Sequence, residues 1–246
     1  MHKLSDFNIE NKNLTIRVDM NVPIKDGMVV DQTRINACIP TIELALKKNA
    51  NILLVSHLGR PEEGKHDSSL SLTPVAKCIS EIFQVPVDVI NSLDDISIFN
   101  GSSSIQILEN IRFFDGEMGN KDSLGKSLGN IGDIYVFDAF GTSHREQAST
   151  HSAIINSKAS CAGLLLEKEI SALTKALKNA ESPFVAVIGG AKVSTKLELI
   201  KNINLKADSI IVGGGIANTF IKVSGYEIGK SLYEESMLDI ASEILE

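Results

Sequence analysis

Long apolar runs are missing from this sequence: no segment approaches the roughly 18 consecutive apolar residues of a membrane span, so a helical membrane protein is excluded. The opening stretch Met1-His2-Lys3-Leu4-Ser5-Asp6 carries no apolar segment after its lysine, unlike a secretory leader, and a cytoplasmic protein is expected. Cysteine is sparse. Cys38, Cys78 and Cys161 are odd in number, widely spaced and form no CxxC pair, which argues against a disulfide scaffold, a zinc site or a dithiol couple. Buried free thiols in a reducing compartment are the simpler reading. Positive charge is short as well: 24 Lys+Arg against 31 Asp+Glu leave a formal net charge of −7, which excludes broad nucleic-acid binding because a counterion-releasing surface needs a positive field. Internal repeats, low-complexity tracts and charge blocks are also missing, and Gly101-Ser102-Ser103-Ser104 reads as a simple surface turn.

What remains is an ordinary folding composition. With 246 residues, 43% hydrophobic and 22% charged, the chain buries a full core and forms two domains or one large α/β domain. Short apolar runs alternate with longer segments of helical period, the pattern of parallel sheets covered by crossover helices. The runs predict strands at 14–18, 51–55, 85–90, 105–108, 134–137, 184–188 and 209–212, and helices at 34–48, 73–83, 121–128, 164–179, 194–202, 215–224 and 237–245. Thr73-Pro74 is a start signal, an N-cap followed by proline at the first helical position. The long amphipathic segment from Gly163 to Asn179, followed by Glu181-Ser182-Pro183, separates a first domain at 1–165 from a partial second domain at 182–246, with 166–181 as the connecting helix.

Arginine is the scarcer cation. Only Arg17, Arg34, Arg60, Arg112 and Arg145 occur, all before residue 146, and the other basic residues are lysine. Arginines in polar loops after apolar runs suit fork-like recognition of carboxylate or phosphate, whereas Arg17, inside a strand pattern, suits a structural salt bridge. In open α/β sheets ligands bind beyond the carboxyl ends of strands, and the loops there are informative. Asp19 and Asn21 share a face if strand geometry persists, which suits hydroxyl recognition, the alternative being an Asx turn. The loop Ser56-His57-Leu58-Gly59-Arg60-Pro61 combines a permissive glycine with two groups able to face an anion. Leu108 to Phe113 and Asp138 to Arg145 add Arg112, Arg145 and His144, and Asp138 is expected to fix a neighbouring loop through backbone N–H groups.

The second half holds a different device. The strand ending at Ile188 runs into Gly189-Gly190-Ala191-Lys192-Val193-Ser194-Thr195-Lys196, a glycine turn opening a helix, where free N–H groups and the positive dipole end attract phosphate. Lys192 and Lys196, four apart, are expected on one helical face. The spacing departs from GxxxxGK[ST], so a P-loop is not indicated. A second glycine turn, Gly213-Gly214-Gly215, follows the next strand, and two such turns with two lysines favour a nucleotide.

Taken together, RVDMNVP at 17–23, DQTRI at 31–35, SHLGRP at 56–61, LENIRF at 108–113, DAFGTSHR at 138–145, GGAKVSTK at 189–196 and GGGIANTF at 213–220 resemble the signatures of the phosphoglycerate kinases, in order across the chain. GKSLYEE at 229–235 is similar to the bacterial members. The resemblance implies an α/β fold of two Rossmann-like parallel-sheet domains joined by a long helix, the second incomplete in this chain. It implies a monomeric, hinge-bending glycolytic enzyme that transfers the acyl phosphate of 1,3-bisphosphoglycerate to ADP, giving 3-phosphoglycerate and ATP, with Mg2+ accompanying the nucleotide. Asp19 and Asn21 would contact the glycerate, and Arg34, His57, Arg60, Arg112 and Arg145 would hold its phosphate and carboxylate. Arg34 would also neutralise transition-state charge, Lys192 would follow the transferring phosphoryl group, and Gly190, Ala191, Lys196, Gly213 and Gly214 would hold the nucleotide phosphates. Members of the family continue past this point into a second glycine-rich nucleotide loop with a magnesium-binding aspartate, so the 246-residue chain alone is expected to be nearly inactive.

Three other readings compete. Asp138-Ala139-Phe140-Gly141-Thr142 after a strand is similar to the aspartyl nucleophile loop of haloacid-dehalogenase-type phosphatases, which carry an acid where Phe140 stands. A Rossmann dehydrogenase needs glycine where Asn218 occurs. A phosphoglycerate-binding protein without turnover, or one with a second surface role, would use the same basic loops.

Overall fold

The computed structural model describes residues 1–97, 105–178 and 180–245. The turn expected at 101–104 lies outside them. The strands are β1 (Asn13–Val18), β2 (Ile24–Lys25), β3 (Met28–Val29), β4 (Asn51–Val55), β5 (Val87–Ile90), β6 (Ile105–Leu108), β7 (Ile134–Asp138), β8 (Ser160–Ala162), β9 (Val185–Gly189) and β10 (Ser209–Gly213). The helices are α1 (Thr33–Lys47), α2 (Thr73–Phe83), α3 (Asp122–Ile131), α4 (Ala153–Asn156), α5 (Leu164–Lys178), α6 (Leu197–Asn204), α7 (Gly214–Val223) and α8 (Leu238–Leu245). None among the described residues is long and apolar enough to cross a membrane. The chain forms two compact units, Met1–Ile170 and Ser171–Glu246, dividing within α5.

The first unit is built on a parallel sheet in the order β5-β6-β4-β1-β7-β8. A sheet covered on both faces needs apolar residues at nearly every strand position, and these strands supply them. Ile16 and Val18 of β1, Ile52 and Leu54 of β4 and Ile107 of β6 pack with Ile35 and Ile42 of α1 and Val75 and Ile79 of α2. The alternate positions Leu53, Val55, Leu108 and Tyr135 pack with Leu124 and Leu128 of α3 and Ala153 of α4. From β1 the chain crosses through α1 to β4 on one side, whereas β7, reached through α3, lies on the other. Strand order therefore reverses about β1, and the loops after β1, β4 and β7 open into one crevice at their carboxyl ends.

In the second unit β9 and β10 pair in parallel, and Ala186, Ile188, Val193, Ile200, Ile203, Ile216, Phe220 and Ala241 form its core. The opposite strand positions, Val185, Val187 and Ile211, are exposed.

Several local expectations are corrected. β5 starts at Val87, not Val85, and α3 runs from Asp122 to Ile131, three residues past the expected end at 128. Helix α2 begins one residue earlier than a Thr73 cap implies: Leu72 is the N-cap, its N–H held by Glu109 Oε1 at 2.8 Å, and Pro74 sits at the second position. The hairpin β2–β3 and the edge strand β8 carry too few residues to show a period. The largest shift is at α6, which begins at Leu197 rather than Ser194.

Candidate functional site

The basic loops meet at the carboxyl edge of the first sheet. Strand β1 ends at Val18, so Asp19 and Asn21 do not continue a strand face; Asp19 Oδ1 instead accepts from Asn21 N at 3.3 Å in an Asx turn. Each then reaches sideways. Asp19 Oδ2 accepts from Arg34 Nη1 at 2.8 Å, and Asn21 Oδ1 accepts from Gly59 N at 2.9 Å, which ties the first loop to the second. Gly59 stands at φ +61°, which favours glycine in the turn that presents Arg60, and a Cβ there would lie 2.6 Å from Leu70 Cδ2, so the leucine end would have to shift.

Asn110 organises the third loop. It is fully buried and satisfied on every side: Oδ1 accepts from Leu58 N and Arg112 N, each at 3.2 Å, and Nδ2 donates to Leu58 O at 2.7 Å and Leu70 O at 3.0 Å. These bonds hold Arg112, whose Nη1 donates to Gly59 O. Its Nε is buried with no hydrogen-bond partner among the described residues. An unpaired buried donor is costly, and this one N–H of a guanidinium otherwise held by Gly59 O is free to meet an anion.

Arg60, Arg112 and Arg145 line one cavity of about 500 Å3, together with Pro61, Met118, Glu146 and Gln147. Among the described residues none of the three makes an ion pair within 4 Å; the one arginine that does, Arg34, pairs with Asp19 while its side chain stays 53% exposed. Burial first, then Arg145 and Arg17, pull the Arg112 pKa below the usual guanidinium range. His57, 3% exposed, is pushed down to about 2 by burial and then by Arg17, Arg112, Arg145 and Arg34, so it is neutral at pH 7. Beyond burial, both shifts report the positive field of the neighbouring arginines, opposed at Arg112 by the buried Glu117.

Not every candidate joins this wall. Arg34, His57, Asp19 and Asn21 surround the crevice without lining that cavity, and His144 is exposed. Arg17 forms no salt bridge among the described residues; it is 1% exposed, donates from Nε to Ser149 Oγ at 2.9 Å and faces His57 Nδ1 at 3.4 Å from Nη2. Gln147 and Met118 of the cavity wall, and Ser149 and Glu117 behind it, were silent in the sequence because they sit in irregular or π-helical segments with no period. Asp138 does fix a neighbour through backbone: Oδ1 accepts from Leu166 N at 2.9 Å in the first turn of α5, and Oδ2 from Thr41 Oγ1 at 2.6 Å. Fully buried, with its pKa raised chiefly by desolvation, it is a helix cap and not the aspartyl nucleophile of a phosphatase.

The glycine turns of the second unit pack on each other. Ile216 N donates to Gly190 O at 3.1 Å, Gly214 adopts φ +66°, and a Cβ on Gly215 would fall 2.2 Å from Ala191 O. Gly189 and Gly213, at the strand ends, face open space, where a Cβ would meet nothing within 4 Å. Bare backbone beyond two parallel strands fits the close approach of a phosphate chain. Lys192 and Lys196 do not share a helical face: Lys196 is the N-cap of α6 and Lys192 lies in the loop before it. The loop is held from outside, since Glu234 accepts from Ser194 Oγ at 2.6 Å and Ser194 N at 2.9 Å. Asn218 Nδ2 donates to Leu232 O at 2.9 Å, a further tie to the same segment.

This sequence matches the family model described as phosphoglycerate kinase over residues 4–246. The chain belongs to the phosphoglycerate kinase family. It is 47% identical over 243 residues to the phosphoglycerate kinase of Desulfovibrio desulfuricans, covering 99% of this chain and 62% of that protein. It is 48% identical to that of Francisella tularensis subsp. novicida, covering 98% and 62%. Among solved phosphoglycerate kinase structures, that from Coxiella burnetii superposes with a TM-score of 0.89 at 45% identity over 99% of this chain and 62% of the other. The Pyrococcus horikoshii structure gives 0.81 at 32% identity over 100% and 65%. The chain thus spans about 62% of the length of the curated phosphoglycerate kinases it matches.

Proposed function

We propose that these residues serve reversible phosphoryl transfer between 1,3-bisphosphoglycerate and ADP, giving 3-phosphoglycerate and ATP, the first unit holding the phosphoglycerate and the second the phosphates of the magnesium nucleotide. The observation that carries this reading is the single cavity walled by Arg60, Arg112 and Arg145, with no carboxylate paired to any of them among the described residues. Phosphoryl transfer asks for positioning and charge stabilisation more than for a covalent nucleophile, which agrees with a site of arginines, a neutral histidine and no exposed Asp138.

In this reading the three arginines take the phosphate, Asp19 and Asn21 orient the glycerate, and His57 offers a neutral N–H. Arg34 neutralises charge developing at the carboxyl group. Its present partner is a half-exposed ion pair of the kind worth less than about 1 kcal/mol, so it turns to the substrate at little cost. Lys192 follows the transferring phosphoryl group from its loop, while Lys196, Gly190, Ala191, Gly213 and Gly214 form the nucleotide-phosphate wall. The family membership and the bare backbone at Gly189 and Gly213 support the second half of the reading.

Calorimetric titration of the polypeptide with 3-phosphoglycerate, and separately with Mg-ADP, tests it. Arg60→Ala is expected to weaken 3-phosphoglycerate by about tenfold or more, the scale of a lost charge-assisted hydrogen bond, without changing Mg-ADP. Equal affinity of a folded Arg60→Ala protein for 3-phosphoglycerate would refute the assignment of the cavity.

A further inference from the structure

Behind the arginine-walled cavity runs a line of buried polar groups that the anion site itself leaves unused. Glu117 is 1% exposed and does not line that cavity. Its Oε2 accepts from Ser149 N at 2.9 Å and its Oε1 from Ser149 Oγ at 2.6 Å, while Tyr135 Oη donates to Ser149 O at 2.6 Å. Ser149 is therefore held at its amide, its carbonyl and its hydroxyl. A serine hydroxyl has one proton, and this one is committed to Glu117, so the remaining lone pairs receive Arg17 Nε at 2.9 Å. Arg17 Nη1 donates to Val18 O, which leaves Nη2 facing His57 Nδ1 at 3.4 Å. A guanidinium can only donate, so the His57 nitrogen that meets it carries a lone pair and the ring proton sits on Nε2.

We propose that Glu117 is a positioning residue: through Ser149 it aligns Arg17, and through Arg17 it fixes His57 as its Nε2–H tautomer. The proposal rests on the substrate reading above for what His57 then does, which is to present one N–H of fixed direction to an oriented anion. A competing role is simple charge balance, since Glu117 is also the buried carboxylate whose field supports the protonated Arg112 and attracts Arg17. The two roles part on the kind of anion. Removing a mere counter-charge tightens every anion alike, whereas removing a positioner weakens an oriented ligand and spares one that looks the same from all sides.

The test uses the polypeptide labelled with 15N-histidine, as wild type, Glu117→Gln and Ser149→Ala, with the imidazole nitrogens of His57 observed in the free protein. Wild type is expected to show a single neutral tautomer protonated on Nε2, and both variants a mixture of tautomers. Calorimetry on the same samples is expected to show Glu117→Gln weakening 3-phosphoglycerate by about tenfold, with sulfate affinity unchanged or increased. A His57 that keeps its Nε2–H tautomer in both variants, a wild type already in mixed tautomers, or 3-phosphoglycerate and sulfate shifting together would overturn the proposal. If Glu117→Gln does not fold, Ser149→Ala, which deletes one oxygen, carries both measurements. Failure of the wild type to bind 3-phosphoglycerate sinks the substrate reading, and the tautomer measurement still decides the relay by itself.

Discussion

His57 makes the first unit sensitive to acid in a way that can be worked through. The ring is 3% exposed, and burial first, then Arg17, Arg112, Arg145 and Arg34, push its pKa down to about 2 from the ordinary imidazole value of 6.5. The unfolded chain takes up the imidazole proton near pH 6.5, and the folded chain does not until near pH 2. Between those limits unfolding binds one extra proton, so stability falls as pH falls, by about 1.4 kcal/mol per pH unit, and is unaffected above pH 7. From pH 7.5 to pH 4.5 the loss from this one group is about 2.7 kcal/mol. Replacing it by His57→Asn, whose carbonyl oxygen takes the place of Nδ1 toward Arg17, removes the titration and keeps the contact. Glu117 and Asp138 have raised pKa values, so they contribute stability at low pH that is lost as pH rises. They are common to both proteins and cancel in the comparison. Urea unfolding between pH 7.5 and pH 4.5 is expected to give a steeper fall for wild type than for His57→Asn, the gap opening only below about pH 6.5 and corresponding to about one proton. Parallel curves would mean that His57 titrates alike in the native and unfolded chains, and a wild type that gains stability on acidification would mean that it is already protonated when folded; either result would end the neutral N–H reading.

Two glycine substitutions follow from the same geometry. Gly59→Ala meets both a positive φ and the Leu70 methyl, and is expected to destabilise the first unit by about 1–3 kcal/mol and to weaken 3-phosphoglycerate binding, measured by urea denaturation and calorimetry. Gly215→Ala drives a Cβ into Ala191 O, a backbone atom that cannot swing aside, so the two glycine turns must separate. The expected result is weakened Mg-ADP binding with 3-phosphoglycerate affinity untouched, and an unchanged nucleotide affinity would show that the turns are not held together as described.

The sequence determined a good deal alone. Alternating apolar runs and helical segments were enough for a parallel sheet under helices, because β1, β4 and β6 are buried on both faces and their residues carry that burden visibly. Scarce arginines after strands pointed to three loops of a lysine-rich chain, and Arg60, Arg112 and Arg145 from those loops line one cavity. Tertiary structure decided what a side chain does once it arrives. Whether Arg17 pairs with a carboxylate or reaches a histidine depends on Ser149, 132 residues away, and no local pattern records that distance. Likewise Lys192 and Lys196 have helical spacing, but Val193 is buried in the core and Ser194 is tied to Glu234, which delays α6 to Leu197 and parts the two lysines. Periodicity reports which residues are buried along one segment; partners that come from other segments are fixed only when the chain closes on itself.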